Sequence, residues 1–180
     1  MPHLVEPDVR FQASFLRGMA GFAAEGRGSR GDTSMIGRNL REWGDRWHDP
    51  AVFSAYVAEV KALGRQETPR PTGMVPATTF WWTEGEEFLG RIQLRHWLND
   101  FLNEVGGHVG YDVPPEHRRR GHATAMLRAL LPLAAKGFGL DQVLITCDVD
   151  NVASRRVIEA CGGAFEDRRG IKLRYWVPTS

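Results

Sequence analysis

Six consecutive residues, Arg118-Arg119-Arg120-Gly121-His122-Ala123, place three guanidinium groups and a flexible backbone at the start of a helix-like pattern. Ahead of them, Gly107-His108-Val109-Gly110-Tyr111-Asp112-Val113 reads as a strand. Pro114-Pro115 must end it, because consecutive prolines cannot both sit in a central ladder. Behind them, Ala123, Met126, Leu127, Leu130, Leu131 and Ala134 fall on one face of a helix. The first-turn amides of a helix lack intrahelical partners and lie at the positive end of its dipole. A strand, a short basic loop and a helix N-terminus therefore suit a diphosphate, and Gly121 lets the backbone approach it closely. A ligand with phosphates at one end is the first inference.

Three arginines in a turn can also be a solvated basic surface. A second segment, Thr146-Cys147-Asp148-Val149-Asp150-Asn151-Val152-Ala153-Ser154, favours the ligand reading because it puts Asn151 and Ser154 at the mouth of the next strand–helix crossover. In α/β sheets, ligands collect at the carboxyl ends of adjacent strands. Asn151 also suits a helix cap, and the two roles can coexist. Gly26-Arg27-Gly28-Ser29-Arg30-Gly31 matches a dinucleotide-binding pattern letter for letter. No strand precedes it, so it reads as a glycine-rich loop.

The elements that must position these groups follow from periodicity. Helical spacing runs from about Val9 to Ala24 (Phe11, Phe15, Met19, Phe22) and again from Asn39 to Leu63. Thr68 to Gly73 is a connector. Thr78 to Thr83 and Phe88 to Trp97 are β-rich runs around a Glu84-Gly85-Glu86-Glu87 turn. Gln142 to Val149 reads as a strand, Val152 to Cys161 as a short helix ended by Gly162-Gly163, and Gly170 to Val177 as a last strand. Pro132 interrupts the helix after the arginines, and the apolar stripe continues past it.

At 180 residues the chain fits one domain. A formal net charge of +1 argues against a nucleic-acid or membrane binder. Two cysteines, Cys147 and Cys161, cannot build a disulfide framework, and no secretory pattern opens the chain, so a cytoplasmic location is expected.

Together these residues resemble the GNAT superfamily of acetyl-CoA-dependent N-acetyltransferases. Its pattern Arg/Gln-x-x-Gly-x-Gly/Ala is met by Arg118, Gly121 and Ala123, and its Asn, short helix and Gly-Phe pair are partly met by Asn151 and Gly162-Gly163. The resemblance covers Met74 to Val177. Leu94-Arg95-His96, Leu98-Asn99, Gly106 to Tyr111 and Arg174-Tyr175-Trp176 look like a bacterial subgroup of acetyltransferases. It implies a single domain over 1–180, with 74–177 as the core and the helical 1–70 shaping the acceptor site. The implied fold is α/β: a mixed, mostly antiparallel twisted sheet with a splayed central parallel strand pair, flanked by helices.

The resemblance also implies a mechanism in which an amine attacks the thioester directly in a ternary complex. Backbone groups of Tyr111 and Val113 would pair with the pantetheine arm of acetyl-CoA, with a bulge and splay supplied by Gly106, Gly107 and Gly110. Amides of Arg119, Arg120, Gly121, His122, Ala123 and Thr124 would bind the pyrophosphate, with the Arg118, Arg119 and Arg120 side chains nearby and Asn151 and Ser154 completing the site. A backbone N–H near Val109 is the oxyanion donor. Many members carry a Tyr as thiolate acid seven residues after the Asn; here that position is Ile158, so Ser154 or water takes the role. His108 leads as general base because an imidazole titrates near neutrality, followed by Glu104 and His96. Trp43, Trp47, Tyr56, Trp81 and Trp82 could wall the acceptor pocket, and Glu84, Glu86 and Glu87 would suit a cationic amine. The acceptor would be a small-molecule or peptide amine. No metal, nucleic acid or membrane is implied, and a homodimer is compatible. A non-catalytic CoA-sensing or RNA/phosphate-binding module is the alternative.

Overall fold

A computed structural model describes Met1–Ser180. The chain opens with a short strand, β1 (His3–Val5), and the expected first helix, α1 (Gln12–Ala24). The second helical region is two helices, α2 (Met35–Glu42) and α3 (Pro50–Ala62). The break is chemical: a 3-10 turn at Gly44–Arg46 interrupts the pattern, then Asp49 accepts from Ala51 N and Pro50 opens α3. The hairpin is β2 (Ala77–Glu84) and β3 (Glu87–Arg95), turning at Gly85. There follow β4 (Val109–Asp112), α4 (His122–Phe138), β5 (Gln142–Asp148), α5 (Val152–Ala160), β6 (Ala164–Arg169) and β7 (Lys172–Pro178). Helix α4 runs through Pro132 and ends at Gly139 in the left-handed region. None of the helices is long and apolar enough to cross a membrane.

Pairing is antiparallel throughout, in two sheets ordered β1-β2-β3-β4 and β5-β7-β6. No ladder joins β4 to β5. Their link is His108 N donating to Leu144 O at 2.7 Å and Leu144 N donating to His108 Nδ1 at 2.9 Å. Beyond that point the two strands part. The expected bulge in β4 is not formed: its register against β3 is continuous from Arg91↔Asp112 to Leu94↔Val109. The splay begins instead at Gly107, whose φ is +64° and whose added Cβ would lie 2.5 Å from Leu144 O.

Alternation along β3 divides the interior into two cores. Ile92 and Leu94 face α4, packing with Met126, Leu127, Leu130, Val143, Ile145 and Ile158. On the other face, Trp81 and, past a bulge at Leu89 that reverses the alternation, Phe88 meet α1 and α3, with Phe15 stacked on Trp81 at 5.0 Å between centroids. Trp47 and Trp81 are thus core residues rather than pocket walls.

Candidate active site

The basic loop has the geometry of an anion site, built mostly from backbone. Arg119 has φ +61° and Gly121 φ +80°, so the chain turns twice through the left-handed region before α4 begins. No side chain caps this helix, so its first amides are free for a ligand. Nothing lies within 4 Å of where a Gly121 Cβ would be. The side chains divide. Arg119 and Arg120 are exposed and unpaired, whereas Arg118 is turned away from the loop. Its Nη1 and Nη2 donate to Glu25 at 2.6 and 2.9 Å, and its Nε donates to Val113 O at 3.1 Å. Arg118 therefore fixes the loop to the end of α1 instead of reaching phosphates. The His122 ring is likewise engaged, accepting from Trp82 Nε1 at 3.2 Å. The glycine-rich stretch 26–31 has no such vacancy, because Asp32 accepts from Arg27 Nε and Gly28 N itself.

Where β4 and β5 part, a cavity of about 250 Å³ opens, lined by Val109, Gly110, Tyr111, Cys147, Asn151 and Ser154 among others. The basic loop continues from the carboxyl end of β4, and Asn151 follows the carboxyl end of β5. The bond from Arg95 N to His108 O sets the parity of the β3–β4 ladder, which leaves the Val109 and Tyr111 amides aimed at the gap. Asn151 caps α5 by accepting from Ser154 N at 3.1 Å. Ser154 Oγ lies 2.7 Å from the Tyr111 hydroxyl, a partnership the sequence did not reveal. Burial keeps Tyr111 protonated by pushing its ionisation well above the ordinary tyrosine range. Ile158 is fully buried in the core, so no side chain at that position reaches the cleft. Burial, with Asp148 second, pushes the Cys147 thiol up and away from thiolate chemistry.

None of the three proposed bases has a free lone pair lining either cavity. His108 is 5% exposed. Its Nδ1 is already an acceptor for Leu144 N, so the neutral ring carries its proton on Nε2 and has no basic nitrogen left. Burial first, and the charge of Arg95 second, lower its pKa to about 4. Glu104, on the π-helical turn Leu102–Gly106, is ion-paired with Arg169. His96 Nε2 is 2.8 Å from Thr78 Oγ1, and its ring packs on Phe138 at 4.6 Å.

A second cavity, about 360 Å³, lies on the sheet face opposite α4, between α2, α3 and the segment 71–75. Of the aromatic residues considered for an acceptor pocket, Trp43 and Tyr56 line this cavity; Trp47, Trp81 and Trp82 do not. Its charged lining was not anticipated: Arg38, Arg91 and Arg95 against Glu42 and Glu59. Arg91 is 1% exposed, donates from Nε to Asp112 at 2.9 Å, and donates from Nη1 to Asn39 and the Tyr56 hydroxyl. The alternation Arg91, Gln93, Arg95 on β3 was the available signal, obscured because the run read simply as β-rich. Glu84 and Glu87 stay outside, paired with the N-terminus and Arg17.

Residues 31–164 match the family model described as an acetyltransferase (GNAT) domain. No curated protein matches the chain. Among solved structures, RimJ from Mycobacterium smegmatis in complex with CoA-disulfide superposes with a TM-score of 0.69 at 19% identity, over 98% of this chain and 81% of that one. RimL, a ribosomal L7/L12 α-N-protein acetyltransferase in complex with CoA, gives 0.65 at 15% identity over 98% and 93%. The microcin C7 self-immunity acetyltransferase MccE, in complex with acetyl-CoA and AMP, gives 0.65 at 12% identity over 98% and 92%.

Proposed function

The chain belongs to the GNAT acetyltransferase family, and from that premise we propose that it moves the acetyl group of acetyl-CoA to a primary amine by direct attack in a ternary complex. The observation that carries the reading is the gap between β4 and β5, which leads to an uncapped helix N-terminus at one end and adjoins a charged cavity across β4. The amides of Arg119 to Thr124 would hold the pyrophosphate, with Arg119 and Arg120 adding charge. The unpaired edge of β4 would pair with the pantetheine arm through Val109 and Tyr111, and one of these amides would face the developing oxyanion.

Ser154 is the donor to the departing thiolate in this reading. With the Tyr111 hydroxyl donating to Ser154 Oγ, 2.7 Å away, the serine proton is aimed at the sulfur before the bond breaks, and water reprotonates the serine through Tyr111. The proton leaving the amine passes to water or to the carboxylates of the second cavity, Glu42 and Glu59. Arg95, a cation in the same cavity, favours the neutral amine over its ammonium. The acceptor is a small-molecule or peptide amine. Both kinds of setting occur among the fold neighbours, one being a ribosomal-protein acetyltransferase and another having been solved with AMP.

A screen of primary amines with acetyl-CoA, reading release of the free CoA thiol, tests the reading. Amine-dependent release with formation of the N-acetyl product is expected. Tight acetyl-CoA binding without release for any amine would turn the protein into a CoA sensor.

A further inference from the structure

One charged side chain stands between the two cavities. Arg95 closes β3, lines the acceptor cavity, and would lie 4.0 Å through its Nη2 from a Cβ placed on Gly110, which lines the cofactor cleft. Its Nη1 donates to the carbonyls of Gly106 and Gly107, at 3.0 Å each, and no carboxylate pairs with it. Burial first, and the positive charge of Arg38 second, bring its pKa down to about 10. Arg91, four residues earlier on the same face, is neutralised by Asp112, yet its Nη2 is buried with no partner. Glu42 and Glu59 line the cavity as well, and neither is ion-paired. A cation held out of water without a counter-charge is costly, and a ligand anion removes that cost.

Unpaired charges of both signs in one cavity complement a zwitterion. We propose that the cavity recognises the acceptor through an anionic group, a carboxylate or a phosphoryl, carried a few bonds from the reacting amine. Arg95 and Arg38 take the anion, and Glu42 and Glu59 receive the ammonium before it loses its proton. Because Arg95 stands beside Gly110, the anion is close to the reacting end, as in an amino acid. Trp43, Met74 and Phe101 supply apolar wall for the remainder of the molecule. A polyamine, with no anion, is repelled by the same arginines. This inference rests on the amine-transfer reading and names its substrate class.

Matched acceptors test it: L-phenylalanine against L-phenylalaninamide, and O-phosphoethanolamine against ethanolamine, compared by kcat/KM with saturating acetyl-CoA. The carboxylate pair and the phosphoryl pair separate the two anion sources. The anionic partner is expected to be favoured about tenfold or more in at least one pair, by the weight of a charge-assisted hydrogen bond. Arg38→Met should collapse that ratio, and Arg38→Lys should restore part of it. Arg38 is exposed, so these variants should fold even if Arg95→Met, which also frees the Gly106 turn, does not. Equal kcat/KM within both pairs, or a ratio unmoved by Arg38→Met, would overturn the proposal. Calorimetry of N-acetyl-L-phenylalanine against its amide, with no acetyl-CoA present, reads the anion site alone. A failure of acetyl-CoA binding or turnover would strike the functional reading and leave that binding preference to decide the anion site.

Discussion

At the residue scale, the pair Ser154–Tyr111 makes the sharpest prediction. If Ser154 donates to the thiolate, Ser154→Ala should lower kcat about a hundredfold with little change in the acetyl-CoA KM. Tyr111→Phe removes only the hydrogen bond that orients the serine, at 2.7 Å, and should cost about fivefold to tenfold in kcat, the weight of roughly 1 kcal/mol. Turnover unchanged in both variants, by steady-state kinetics, would leave water as the proton source. His108 makes a different prediction because its ring is a structural acceptor. Its folded pKa, about 4, lies below the ordinary 6.5, so the unfolded chain binds a proton first as pH falls. Stability from this group is complete above 6.5 and is lost as pH drops toward 4, by about 3 kcal/mol at full effect. Urea unfolding across that range should show the slope in the parent and a flatter one in His108→Phe. Ser154 was legible because it sits three residues after an N-cap Asn. The occupied Nδ1 of His108 was not, since the partner is a backbone amide 36 positions away.

At the element scale, the strand–loop–helix arrangement around the basic loop was readable from its grammar, but the partition of its arginines was not. Arg118 is drawn off by Glu25, 93 residues distant. Side chains of that pair remain about two-fifths exposed, so the contact contributes at most about 1 kcal/mol. Arg118→Ala should therefore change CoA affinity far less than Arg119→Ala or Arg120→Ala, as calorimetry at low salt would show. Gly121→Val forces a branched residue to φ +80°, a strain of about 1–3 kcal/mol, in a place where its Cβ meets nothing. CoA affinity should fall tenfold or more from loss of backbone approach; unaltered affinity would move the pyrophosphate elsewhere. Helices α1 and α4 were visible from apolar spacing, and α5 from its Asn151 cap as well. Strand β6 was not: it is an edge strand whose Ala-Phe-Glu-Asp-Arg-Arg sequence has no alternation, held by β7 and offset where Phe165 gives way to Asp167. Strand β1 has three residues and exists only through pairing with Trp81 to Thr83.

For the whole molecule, a ligand that binds only the folded chain must stabilise it. CoA at a hundredfold excess over Kd adds about 2.7 kcal/mol, a rise in Tm of several degrees for 180 residues. RNA should produce no such rise. The α/β class was foreseeable from alternating strand and helix patterns, whereas the antiparallel bias came only with the family resemblance. The division into two sheets was not, because periodicity fixes which face a strand buries and not which neighbour it leaves unpaired. That division has a mechanical consequence. Gly107 and His108 fasten β4 to β5 at one end only, so the two strands form a wedge pivoting on a fixed tip. A small displacement at the tip grows along the arms, by the same proportion as the distance from it. The width offered to an acyl group is thus governed from the closed end. Room for a chain longer than acetyl would come from altering the pivot.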